Sequence, residues 1–202
     1  MGKSRHILLL LCAAILFSSN FTLACAQQSG QAIELLKINK EYDKRTVIKP
    51  STIPNAGNGL FALTKLAKGE AIGELGGQLI SDDNYPEDSF YIAAIAECAW
   101  EETHPYKYID SKQHGANVSR INFAPSAING VQTGFQNAAI KQLCEKPYFI
   151  YVAVKDIEPG QEIWSSYGDY YEYDGFMKLP EVRDFFCALV KIDCREKYTY
   201  EH

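Results

Sequence analysis

At 202 residues, with 47% hydrophobic and 22% charged side chains, the chain suits one globular domain with modest extensions. Its net charge of -5 argues against a basic nucleic-acid surface, so no direct DNA binding is expected. That mild acidity fits either a lysine-rich partner or plain solubility.

The N-terminus reads as an export signal. Lys3 and Arg5 precede the apolar run ILLLLCAAILF, and the small residues Ala24-Cys25-Ala26 offer a cleavage site. The run falls short of the about 20 apolar residues of a membrane span, so no stable span is expected after cleavage. Residues 1–26 are read as a cleaved signal, with retention as an anchor, or lipidation at Cys25, as rivals. The exported chain would be periplasmic or secreted. Four cysteines then remain, Cys98, Cys144, Cys187 and Cys194, and four allow three disulfide connectivities. None forms a CxxC pair and few histidines accompany them, so no structural zinc site, and no other metal, is expected.

Residues 27–46 form a polar lead-in, either a short helix over QAIELLKINKEY or a loosely attached segment. TVIKPSTI reads as extended chain, followed by the turn PNAGNG and the apolar LFAL. A Lys68-Gly69 turn divides two short strands in KLAKGEAIGELGGQLIS. DSFYIAAIAECAWEETH is the strongest predicted helix, capped by Asp88 or Ser89 and closed by Pro105. YKYID is predicted as a strand. The stretch from Ser111 to Gly134 has neither helical nor strand period, and loops of that length tend to be functional or disordered. FQNAAIKQL and YFIYVAVKDI are two further strands, and LPEVRDFFCALV is a short C-terminal helix.

Three distant segments place small residues or asparagines beside apolar strands: IPNAGNGLFA (Ile53–Ala62), GANVSRINF (Gly115–Phe123) and DIEPGQEIWSSYGDYY (Asp156–Tyr171). Glycines permit close backbone approach in the first, or simply a tight turn. In the second, Asn122, just past Arg120, is placed to hold a polar ligand, while the plain readings are a turn cap for Asn117 and a carboxylate partner for Arg120. The third sets Tyr167 at a strand end beside Gly168 and crowds Tyr170, Tyr171 and Tyr173 around it.

In order and spacing these segments resemble the SET-domain family of S-adenosylmethionine-dependent protein lysine methyltransferases. IPNAGNGLFA matches the family's GxGLFA turn, YIDSKQHGANVSRINF fills the slot of its YxxD strand end and asparagine motif, and IEPGQEIWSSYG matches IxxGEELxxxYG. The resemblance spans about residues 47–175, leaving 176–202 as a helical tail. It implies a mainly β SET-domain (β-clip) fold of short sheets with a pseudoknot, 117–123 passing beneath 160–170, and a few short helices. The family's NHSCxPN is NFAPSAIN here, with Phe123 and Pro125 in place of histidine and cysteine. The PR-type branch of the family departs in a similar way. The zinc cluster that follows many SET domains is absent, and a C-terminal helix with Phe185 and Phe186 stands in its place.

The resemblance implies that Tyr167 is catalytic. It also implies that Ala56, Gly57, Asn58 and Gly59, then Asn122 and Phe123, meet the cofactor S-adenosylmethionine, with Tyr91 a further contact. Tyr108 packs in the core or lines a lysine tunnel, and Trp164 belongs to the core. The reaction would be methyl transfer to an exposed protein lysine. Export raises the question of donor supply, which delivery of a bacterial protein into a host cell would answer, with lysine-rich host proteins such as histones as substrates. Asn117-Val118-Ser119 is a glycosylation triplet whose glycan would obstruct the cofactor site, which favours a bacterial source. The alternatives are a catalytically inactive SET-like peptide-binding module in the envelope, or an envelope protein held by disulfides without a ligand.

Overall fold

The computed structural model describes residues 33–95, 104–169 and 171–202. The expected signal segment, Cys25, Cys98 and Tyr170 lie outside the described residues. From Lys40 the chain makes a 3-10 helix to Arg45, opened by Asn39, whose side chain accepts from the Glu41 amide (3.0 Å). The β-branched run Thr46–Pro50 then extends as β1 and pairs antiparallel with β2 (Asn58–Ala62), Thr46 facing Ala62. β3 (Ala71–Glu74) and β4 (Gln78–Ile80) follow the Lys68-Gly69 turn.

Over residues 88–95 the structure departs from the expected helix. Ile92–Ala94 is a strand, β5, paired with β6 (Tyr108–Asp110), and residues 96–103 lie outside the described residues. Ser89, read as a helix cap, instead donates its hydroxyl to Asp110 (3.1 Å). Pairing with β6 supplies the main-chain hydrogen bonds of this segment and overrides its helical propensity. β4, β6 and β5 form one three-stranded sheet in that order.

Past the 3-10 turn Asn117–Arg120 come three two-residue strands, β7 (Asn122–Phe123), β8 (Ala127–Ile128) and β9 (Val131–Gln132). β10 (Ala138–Gln142) and β11 (Phe149–Ala153) form a sheet with β3, and β12 (Glu162–Ser165) returns to β2. β12 also pairs parallel with β7, Trp164 opposite Asn122 and Ser165 opposite Phe123. This pairing sets residues 122–123 directly beside the segment after 160. Asn117 is committed structurally: its amide donates to Asp43 O and Thr46 Oγ1, both at 3.1 Å.

The C-terminus forms α1 (Asp174–Met177) and α2 (Pro180–Val190), with Pro180 in the first turn and Lys191 left-handed at the end. A disulfide joins Cys187 to Cys194, and β13 (Tyr200–Glu201) pairs with β8. Cys144 is disulfide-bonded as well. Two apolar clusters result. One gathers Leu60, Ile72, Ile109, Ile121, Ile157 and Ile163 between the sheets. The other packs Ile53, Phe123, Met177, Val182 and Phe186 beneath the C-terminal helices. Burying each such side chain contributes about 1.5–3 kcal/mol. Ile121 belongs to the first cluster and Phe123 to the second, so β7 is where they meet.

Candidate functional site

Glu162 organises the glycine turn. It is buried, and its carboxylate accepts from Ser51 Oγ (2.6 Å), the Thr52 amide (2.8 Å), Thr52 Oγ1 (2.5 Å) and Asn122 Nδ2 (3.2 Å). A buried carboxylate is tolerable only with donors of this kind around it. Asn122 Nδ2 also donates to Asn58 O (3.1 Å), so a single amide ties β7 to the turn. Gly59 is required by this arrangement, because a Cβ there would lie 2.1 Å from Glu162 Oε1. Gly57 is required for another reason: its φ is +67°, while a Cβ would meet nothing within 4 Å. The outer face of the turn, at exposed Gly57 and Asn58, is open.

Tyr167 is held from three sides. Its hydroxyl donates to Ile121 O (2.7 Å), its main-chain amide donates to Tyr173 Oη (3.0 Å), and Tyr173 in turn donates to Gly168 O (2.8 Å). Tyr171 meets the Tyr167 ring edge-on at 4.8 Å, and Tyr173, which is buried, lies 4.2 Å from the Phe123 ring. Burial pushes the Tyr167 phenol well above its ordinary range, and the nearby phenols of Tyr151, Tyr171 and Tyr91 add to the shift. Only the main chain of Phe123 acts the other way. The phenol therefore keeps its proton at neutral pH. It acts as a hydrogen-bonding group and not as a base.

Three consecutive residues join these halves. The Ile121 carbonyl accepts the Tyr167 hydroxyl's hydrogen bond, Asn122 anchors the glycine turn, and Phe123 stacks against the tyrosine lattice. Ala56, Gly57, Asn58, Gly59, Asn122, Phe123 and Tyr167 thus belong to one neighbourhood. Tyr91 is drawn to the phenol cluster, with the Arg120 guanidinium 4.5 Å above its ring. Arg120, read as half of an ion pair, instead donates to Lys112 O (3.1 Å). Tyr108 packs edge-on against Tyr85 at 4.8 Å, and Trp164 lies half-buried against Phe135, Phe185 and Phe186. A cavity of about 510 Å³ shares Thr52 and Glu162 with the turn, but Gly57, Asn122 and Tyr167 do not line it. Sequence reasoning assigned nothing to Glu162 or Tyr151. The lone acid directly ahead of the apolar Ile163-Trp164 in QEIW was the available signal for the first.

Comparison with protein families matches residues 57–168, more than half of the chain, to the SET domain. The chain belongs to the SET-domain family. The match runs from Gly57 of the turn to Gly168 beside the tyrosine, and so encloses the site just described. Comparison with curated proteins finds no match. Among solved structures, the methyltransferase domain of human PR domain-containing protein 2 is 16% identical, with a TM-score of 0.48, covering 72% of this chain and 97% of that one. A Chaetomium thermophilum polycomb repressive complex 2 is 24% identical with a TM-score of 0.48, covering 62% of this chain and 15% of that one. A structure of that complex bound to S-adenosylmethionine is 22% identical with a TM-score of 0.49 over 72% of this chain. The SET-domain chain spans 17% of that last chain.

Proposed function

We propose that the protein is an S-adenosylmethionine-dependent methyltransferase acting on protein lysine side chains. The observation that carries this reading is the three-residue passage at 121–123, which sets the glycine turn and Tyr167 in one neighbourhood. The residues present fit the donor. The turn is open above Gly57, and Asn122 Oδ1 makes no hydrogen bond to the described residues and stays available to a ligand. The main chain of Ala56–Gly59, with Asn122 and Phe123, would hold it. When bound, the donor supplies a methyl group on a sulfonium, whose C–S electron pair stays with sulfur as nitrogen takes the methyl.

The chain's own residues do the rest. Tyr167, whose hydroxyl donates a hydrogen bond to Ile121 O, presents lone pairs to the N–H bonds of an incoming amine and orients it. Holding reactants in attack geometry is worth several kcal/mol. A lysine amine has an ordinary pKa of about 10.4, and aromatic walls lower it by desolvating the ammonium form. The released proton goes to solvent before attack, so no strong base is needed.

We also read residues 1–26 as an export signal, supported by the oxidised cysteines. A secreted bacterial effector acting on host proteins such as histones is the destination this favours. The second reading, a peptide-binding module without catalysis, is favoured by Phe123, whose ring is covered by Tyr173. Titration with S-adenosylmethionine separates the two: no heat at millimolar concentration leaves only the module. In the accompanying assay, labelled methyl transfer to core histones falls about 100-fold in Tyr167→Phe. The wild-type rate shows no inflection from Tyr167 below pH 10, because its pKa is raised. Equal rates in the two proteins would remove Tyr167 from the mechanism.

A further inference from the structure

The cavity of about 510 Å³ beside the glycine turn has no part in the reaction above. Its size is that of small-molecule sites, which run from about 300 to 1,000 Å³. One part of its wall is aromatic. Phe135 meets Trp164 edge-on at 6.1 Å, and Phe61 of β2 joins them in the lining. Trp164 Nε1 is sealed from solvent and has no hydrogen-bond partner among the described residues, so the indole shows the cavity only carbon. Such a wall takes a further aromatic ring in an offset or edge-on stack.

Three charged side chains share the lining: Lys155, Asp156 and Glu162. Both acids are engaged elsewhere. Asp156 accepts from the Lys68 amide (2.9 Å) and pairs with Lys65 (3.2 Å). The Glu162 carboxylate is saturated by donors of Ser51, Thr52 and Asn122. Lys155 is left over. Its ammonium donates to Gly134 O and forms no ion pair among the described residues. Partial burial pushes its pKa down, and no neighbouring acid opposes that shift. Gln161 adds a donor, because its Oε1 accepts from the Glu158 amide (2.8 Å) while its Nε2 bonds to no described residue. Lys49 Nζ, 4.0 Å from the Phe61 ring centroid, is a second ammonium without an ion pair among the described residues.

We propose that this cavity is a second ligand site, separate from the donor site, and that it takes a small aromatic carboxylate. The ring lies against Trp164 and Phe135, and the carboxylate accepts from Lys155 and Gln161. Gly57, Asn122 and Tyr167 do not line this space, and no bond is made or broken in it. The inference does not depend on the methyltransferase reading.

The test places 5-fluorotryptophan at position 164 of the full chain. Its fluorine resonance is followed against 2-naphthoate and against uncharged 2-naphthylmethanol, with S-adenosylhomocysteine absent and then saturating. Naphthoate shifts the resonance at about tenfold lower concentration than the alcohol. That preference disappears in Lys155→Met and persists in Lys155→Arg, with the melting temperature unchanged in both. Equal response to acid and alcohol, or a preference that survives Lys155→Met, overturns the proposal. Displacement of naphthoate by S-adenosylhomocysteine overturns it too, since the cavity would then belong to the donor site. Failure of the methyltransferase reading looks different: S-adenosylhomocysteine gives no heat in calorimetry, yet the naphthoate preference stands.

Discussion

Two glycines of the same turn serve different ends, and substitution distinguishes them. Gly59 faces Glu162 Oε1, with 2.1 Å available to a new Cβ, and four hydrogen bonds hold that carboxylate in place. Gly59→Ala must displace it and costs more than about 3 kcal/mol in urea unfolding, at the upper end for one substitution. Gly57→Ala meets no atom and costs about 1–2 kcal/mol from its positive φ alone. Equal losses would mean that the Glu162 contact does not constrain the turn. A GxG pattern in a sequence announces a turn but cannot say which glycine serves conformation and which serves approach. That depends on Glu162, about a hundred residues away.

Among the elements, the strands with apolar character over four or five residues, β1, β2, β10 and β11, are where the sequence places them. β5 was missed because Ile92-Ala93-Ala94-Ile95 carries helical spacing, and only its pairing with β6 decides the matter. β7 is two residues long and pairs parallel with β12, too little for any periodicity to show. It was legible only through the resemblance of whole motifs. α2 was legible from its own pattern, Pro180 at the start and Val182, Phe186 and Cys187 on the buried side. Its end is pinned by the Cys187–Cys194 disulfide, which closes a short loop ahead of β13. Chain-entropy arguments assign such a loop about 2–3 kcal/mol. Cys194→Ser therefore lowers the urea midpoint by that equivalent, with the far-ultraviolet circular dichroism spectrum retained; an unchanged midpoint would show the tail to be held by packing alone.

Across the molecule, two hydrophobic clusters share one short passage, Ile121 in the first and Phe123 in the second. The glycine turn hangs from Asn122 between them, and Tyr167 is fastened to Ile121 O. The site is thus a product of distant segments meeting at β7, which explains why no single segment of sequence displays it. The crystal structure of the protein with S-adenosylhomocysteine tests this most directly. The account predicts the ligand against Gly57 and Asn122, with its sulfur turned toward the Tyr167 hydroxyl. A ligand seated in the Trp164 cavity, or one whose sulfur is walled off from Tyr167, would contradict it.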